Sequence, residues 1–173
     1  MLFSVEIDTR IIKVTDIGNG TLVSVLPPIE GCSNYKDDYL VEVSGDILRV
    51  IRICDVEHPN PLMSELFEVY RLDENKNGLP CWVTVTSIGD HALFIDFNDA
   101  LTLEANDAAT IKGNSIYYMR TIFTACNRIL YDAQRMDIHT GAVERLNHCM
   151  RNQYLRNPHW FVPNLRIFGI NDR

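Results

Sequence analysis

Along most of the chain, apolar and polar residues alternate with a period of two in short runs that end at turn residues. This is the pattern of antiparallel strands with one face toward a core. In YLVEVSGDILRVIRI (39–53), Tyr39, Val41 and Val43 fall on one face. Gly45-Asp46 is placed as a Gly-first tight turn, and the apolar run resumes from Ile47 to Ile53, which predicts a hairpin. A second hairpin is predicted over LFEVYRLDENKNGLPCWVTV (66–85), where Asn77-Gly78 reverses the chain ahead of the β-favouring Trp82, Val83, Thr84 and Val85.

Three segments repeat one design: IIKVTDIGNGTLVSV (11–25), EVYRLDENKNGLPCWVTV (68–85) and AQRMDIHTGAVERL (133–146). Each is an apolar strand ending near an Asp (Asp16, Asp73, Asp137), a turn containing Gly20, Gly78 or Gly141, and a second strand. Repeated small antiparallel sheets are the material of β-propellers, with a β-sandwich as the competing arrangement. PPIEGCSNYKDD (27–38) and EHPNP (57–61) are expected to be connectors. NDAATIKGN (106–114) has Asn106 placed to cap a helical turn and Gly113 to stop it. Between Arg120 and Met136, apolar residues at Ile122, Cys126, Ile129, Ala133 and Met136 have helical spacing, although Arg128 to Ile138 also fits a strand.

Composition narrows the function. The 173 residues suit one domain, and 46% hydrophobic with 23% charged residues is the balance of a globular protein. A formal charge of -7 is the wrong sign for a polyphosphate-binding field, so neither nucleic acid nor an anionic membrane is expected as a partner. The longest uncharged run, Ile17 to Ile29, is too short and too rich in Gly and Pro to span a bilayer, and Glu6 and Asp8 interrupt the opening MLFSVEID where a secretory leader would be apolar. A cytoplasmic or nuclear location is therefore expected. Cys32, Cys54, Cys81, Cys126 and Cys149 lack a CxxC pair and are taken as core hydrophobes rather than disulfides or zinc ligands.

No catalytic, cofactor or metal site is assigned. DENKNG (73–78) matches the first half of a calcium loop through Asp73, Asn75, Asn77 and Gly78. However, Thr84 stands where a bidentate Glu closes such loops, and Pro80 interrupts the segment. His58, His91, His139, His148 and His159 show no metal-binding spacing. Ser87, Asp90 and His91 occupy one strand-turn segment whose alternating side chains are not expected to converge as a triad. Asn19-Gly20-Thr21 is a glycosylation sequon, taken here as a turn.

The order of several motifs resembles the KIB-type β-propeller of plant F-box proteins. These motifs are Tyr39 to Val43 with Gly45 and Leu48, Phe67 to Asp73, Trp82 with Gly89-Asp90 and Ala92-Leu93-Phe94, and Lys112-Gly113-Asn114 with Ile116-Tyr117-Tyr118. The resemblance continues through MDIHTGAVERL to HWFVPNL (159–165), and it departs from the family at Asp96, where a Gly is usual, and over Arg120 to Arg135. It implies an all-β fold over 1–173: a partial β-propeller of about three to four antiparallel blades, with one or two short helical turns. It further implies the C-terminal half of such a propeller, without an F-box domain. By this resemblance the chain is a non-enzymatic protein-interaction module, like the substrate-recognition half of a SKP-cullin-F-box ubiquitin ligase. It has no cofactor, an unknown protein partner, and contact with the SKP adaptor only if an F-box is supplied elsewhere. A stand-alone interaction protein or a truncated inactive product are the alternatives, and a propeller enzyme is less favoured. Trp160 and Phe161 are expected to close a blade rather than anchor a partner.

Overall fold

In a computed structural model of the chain, the described residues are 2–5, 12–15, 18–29, 35–54, 65–96, 99–105, 110–123, 129–146 and 150–151. They form three sheets. The first is β1 (Leu2–Val5), β2 (Ile12–Thr15) and β3 (Leu22–Leu26), antiparallel in that order. The second is an antiparallel meander of β4 (Tyr35–Val43), β5 (Asp46–Cys54), β6 (Glu65–Glu74) and β7 (Pro80–Thr84). The third contains β8 (His91–Ile95), β9 (Ala100–Glu104), β10 (Ser115–Phe123), β11 (Ile129–Asp137) and β12 (Val143–Arg145), in the order β12-β11-β10-β8-β9, with β13 (Met150–Arg151) also on β11. All-β architecture in several mainly antiparallel sheets is the arrangement of a partial propeller.

The predicted hairpins form, with local corrections. Val43 pairs with Asp46, so the first turn is Ser44-Gly45 rather than Gly45-Asp46. Both turn residues have positive φ, 53° and 89°, the type I′ geometry whose twist suits a two-residue hairpin loop. The connector expected over 27–38 ends earlier, because Tyr35 to Asp38 already belong to β4. Repeat turns form at Gly20, Gly78 and Gly141, all with φ near +70°. Asn19 and Asn75 accept from backbone amides in the first two turns, Asp73 accepts from the Glu74 amide at 2.8 Å at the start of the second, and in the third Asp137 accepts from the Thr140 amide at 2.9 Å. Those Thr140 bonds hold the Asp137 carboxyl below the usual range.

The helical spacing between Arg120 and Met136 is overturned, since 115–123 and 129–137 are paired strands and 124–128 lie outside the described residues. The reason is that β11 turns polar side chains inward. Asp132 and Gln134 are fully buried beside Met136, so the apolar alternation that marks a strand is broken. The all-antiparallel expectation also fails at one place, because β10 pairs with β8 in parallel. β9 folds back on the far side of β8, so the chain must recross before β10 can take the free edge. Ala105 is a single 3-10 residue, 106–109 lie outside the described residues, and 110–114 are turn and bend rather than helix.

The second sheet is covered on both faces. Tyr39, Val41, Val43, Leu48, Val50, Phe67 and Val69 meet Ile88, Leu93, Ile95, Ile116, Tyr118 and Met136 of the third sheet and its entry loop. On the opposite face, Leu40, Leu72 and Trp82 pack against Ile12, Val14 and Leu26 of the first sheet. A strand buried on both sides has no solvent face for its polar residues, and two arginines of β5 are enclosed. Arg49 forks onto Asp38, with Nε to Oδ1 at 3.0 Å, and lies 5.6 Å from the Trp82 ring centre. Arg52 pairs with Glu65 and donates to the Met119 carbonyl at 3.0 Å. Its guanidinium is flanked by Phe67 and Tyr118 at 5.7 and 5.9 Å. Nearby, burial foremost and then Asp37 push the Tyr39 hydroxyl up to about 12, and the hydroxyl donates to the Asp96 carbonyl at 2.8 Å.

Removing one partner of a buried pair leaves the other charge desolvated and uncompensated. Glu65→Ala is therefore expected to lower unfolding stability by about 3 kcal/mol in urea titrations, and combining it with Arg52→Met is expected to recover part of that loss. Equal destabilisation by the single and double variants would show that the pair does not act as a unit.

Candidate functional site

The motifs that are scattered along the sequence meet at one end of the second and third sheets. Gly113 presses against the Gly89-Asp90 backbone so closely that a Cβ there would lie 2.9 Å from the Asp90 Cα and 3.0 Å from the Gly89 carbonyl oxygen. Asn114, held at φ 52°, then ties three segments together. Its amide N–H donates to the His91 carbonyl at 2.8 Å, and its own carbonyl accepts from Ile138 at 3.0 Å. Its side-chain oxygen accepts from the Ile88 amide at 2.9 Å. The Asp90 carbonyl accepts from Ala105 at 2.7 Å, which fixes the exit of β9. Trp82 donates to the Pro27 carbonyl at 3.0 Å, and Phe94 stacks on Tyr117 with ring centres 4.6 Å apart. Asp96, the departure from the family pattern, closes the β8–β9 turn by accepting from the Asp99 amide at 2.9 Å.

Above this junction a cleft of about 410 Å³ opens between the two sheets. Its wall carries Ser44, Asp46, Arg71, Asp90, His91 and Glu104, over an apolar floor that includes Leu48, Val85 and Ile88. The Asp46, Arg71 and Glu104 side chains are 59%, 42% and 61% exposed, so they are available to a partner. Arg71 bridges two carboxylates, Asp73 at 3.2 Å and Asp46 at 3.9 Å. Across the cleft, His91 Nε2 is 3.2 Å from Ser44 Oγ and 3.8 Å from Glu104 Oε1, while Nδ1 lies 3.3 Å from the Ile88 carbonyl.

Ser87, Asp90 and His91 all line this cleft. Their described hydrogen bonds do not join them, for Ser87 Oγ accepts from the Gly89 amide and His91 turns to Ser44. The Ser44–His91 contact spans 47 positions and was not legible in the sequence; only the hairpin turn that puts Ser44 at a strand end hints at it. It lacks the order of a triad, because Glu104 sits on the same imidazole nitrogen as the serine, whereas a triad carboxylate holds the opposite one.

The half-matching calcium loop is occupied by its own turn. Asn75 Oδ1 accepts from the Asn77 and Leu79 amides at 2.9 and 3.0 Å, and Asp73 is held below the usual carboxyl range by the Glu74 amide and then by Arg71. Among the described residues, no group of three or more His, Cys, Asp or Glu is placed to hold a metal ion. Cys81 is a half-buried free thiol, and His139 is exposed. The side chains of the other four cysteines, together with His58, His148, His159, Trp160 and Phe161, lie outside the described residues.

The family model described as the KIB1-4 beta-propeller matches residues 1–147. The chain belongs to that family. No curated protein and no solved structure matches it. The matched segment takes in the junction and the cleft, and the expected closing segment HWFVPNL (159–165) falls beyond it. No helix among the described residues is long and apolar enough to cross a membrane.

Two outcomes test this description. Gly113→Ala should cost about 2 kcal/mol, because the backbone it strikes cannot swing aside, and thermal unfolding will show it. A methyl group tolerated without loss would mean that the close approach is not structural. Calcium titration should give no stoichiometric heat, since a loop with its oxygens already satisfied and Thr84 at the closing position offers no shell. A micromolar site lost in Asp73→Ala would reverse this.

Proposed function

We propose that this chain is a non-enzymatic protein-interaction module of the cytoplasm or nucleus, serving as the substrate-recognition part of a plant F-box-type ubiquitin ligase. Family membership supports the interaction role. The observation that carries the reading is a division of labour at the turn end of the sheets. Gly89, Asp90, Gly113 and Asn114 commit backbone groups and one side-chain amide to holding strands together. The half-exposed Asp46, Arg71 and Glu104 project beside them on an open cleft. Rigid strands presenting variable polar loops are the usual design of a recognition surface. The 73–80 turn, with Leu79 exposed, belongs to the same edge of the second sheet. The connector expected at 57–61 lies outside the described residues.

On this reading, residues 1–173 capture a protein partner through the cleft and have no contact of their own with the SKP adaptor. Co-precipitation from plant extract, quantified by mass spectrometry, should recover partners whose capture falls at least about ten-fold when Asp46 and Glu104 are both changed to Lys. Direct recovery of the adaptor by residues 1–173, or capture indifferent to the charge reversal, would overturn it.

A further inference from the structure

Two Asn-Gly dipeptides lie in connections between paired antiparallel strands. Asn19-Gly20 joins β2 to β3, and Asn77-Gly78 joins β6 to β7. Their glycines have almost the same φ, 69° and 71°, so that angle does not separate them. Hydrogen bonding does. The Gly78 N–H donates to the Asn75 carbonyl at 2.9 Å, inside a turn further held by the Asn75 side chain. The Gly20 N–H has no hydrogen bond among the described residues, and residues 18–22 are all exposed. At the same turn Asn19 Oδ1 accepts from the Thr21 amide at 2.9 Å and from the Thr21 hydroxyl at 2.6 Å.

An asparagine followed by glycine can cyclise, because the next residue has no Cβ to hinder its nitrogen from reaching the side-chain carbon. The nitrogen loses its proton and bonds to Cγ, the Cγ–Nδ2 bond breaks, and ammonia leaves with that proton. The resulting succinimide takes up water at either carbonyl to give an aspartyl or an isoaspartyl residue. No oxidant, reductant or cofactor is consumed. The step needs an available backbone nitrogen, and donors on Oδ1 stabilise the negative charge that develops there as the ring closes.

We propose that Asn19-Gly20 is a site of spontaneous deamidation and isoaspartate formation in the folded protein, whereas Asn77-Gly78 is protected by the bond that engages its nucleophile. The product adds one negative charge to a chain already at -7 and, in the isoaspartyl form, one methylene to the backbone of the β2–β3 turn. It is the chemical class of site that isoaspartyl carboxyl methyltransferases modify with S-adenosylmethionine.

The test uses the unmodified chain. It is held folded in mildly alkaline buffer, and each site is followed by peptide mass spectrometry with fragmentation that distinguishes isoaspartate, alongside methyl incorporation by an isoaspartyl methyltransferase. Asn19 should convert about ten-fold faster than Asn77, whose reaction requires local opening of its turn, and the two rates should converge in urea. Conversion of Asn77 as fast as Asn19, an unreactive Asn19, or a rate ratio unchanged in urea would each overturn the proposal.

Discussion

Strand β5, inside the second sheet, has no solvent face over Leu48 to Arg52, and much of the fold follows from that constraint. Such a strand is favoured apolar on both sides, which is why β5 carries Leu48 and Val50 toward the third sheet and Ile51 among fully buried residues. Where β5 carries arginine instead, the charge is enclosed and must find a carboxylate within the stack. Asp38 serves Arg49, and Glu65 serves Arg52. Both arginines also lie against aromatic rings, which solvate a guanidinium better than they would a compact ammonium.

At the turn end of the same interface, the constraint is steric rather than electrostatic. Gly113 has to be glycine because the backbone of Asp90 occupies the place of its side chain. That contact brings Asn114 within reach of Ile88, His91 and Ile138, so one residue fixes the entry loop of β8 and the hairpin after β11 together. The cleft inherits its shape from this junction, since His91 and Asp90 stand directly on it. A cleft whose walls come from two sheets needs such a tie, because otherwise each sheet would carry its own wall independently.

Strand identity was legible wherever alternation was intact, as in β4 and β6, where Tyr39, Val41 and Val43 and then Phe67 and Val69 point one way. It was obscured in β11 because Asp132 and Gln134 take core-facing positions, where they bond each other and residues of other strands. Tyr118 donates to Gln134 at 2.7 Å, and Arg145 donates to Asp132 at 2.8 Å. A single segment cannot reveal that its polar residues are satisfied elsewhere. The family motifs were visible as strings, yet their physical role was not, because the contact of Gly113 with Asp90 and that of Ser44 with His91 join distant parts of the chain. The exact turn of the first hairpin was missed by one residue, since a type I′ loop places its glycine second where a type II′ loop places it first.

The interface between the second and third sheets is graded from one end to the other, and the gradient links the two constraints. Near the cleft it is apolar, with Leu48, Ile116 and Met136. Further along, Arg52, Glu65, Tyr118, Gln134 and Asp132 form a succession of polar contacts. Apolar packing is non-directional and would tolerate a small slide of one sheet over the other. The Arg52 bond to the Met119 carbonyl would not, because a slide by one residue pair breaks it and leaves a buried donor unmatched, even though Glu65 on the same sheet keeps the charge paired. The ionic end therefore sets the register of the two sheets, and the apolar end transmits that register to the junction and the cleft. The walls of the cleft thus have a spacing set in part by buried polar contacts at the far end of the same interface.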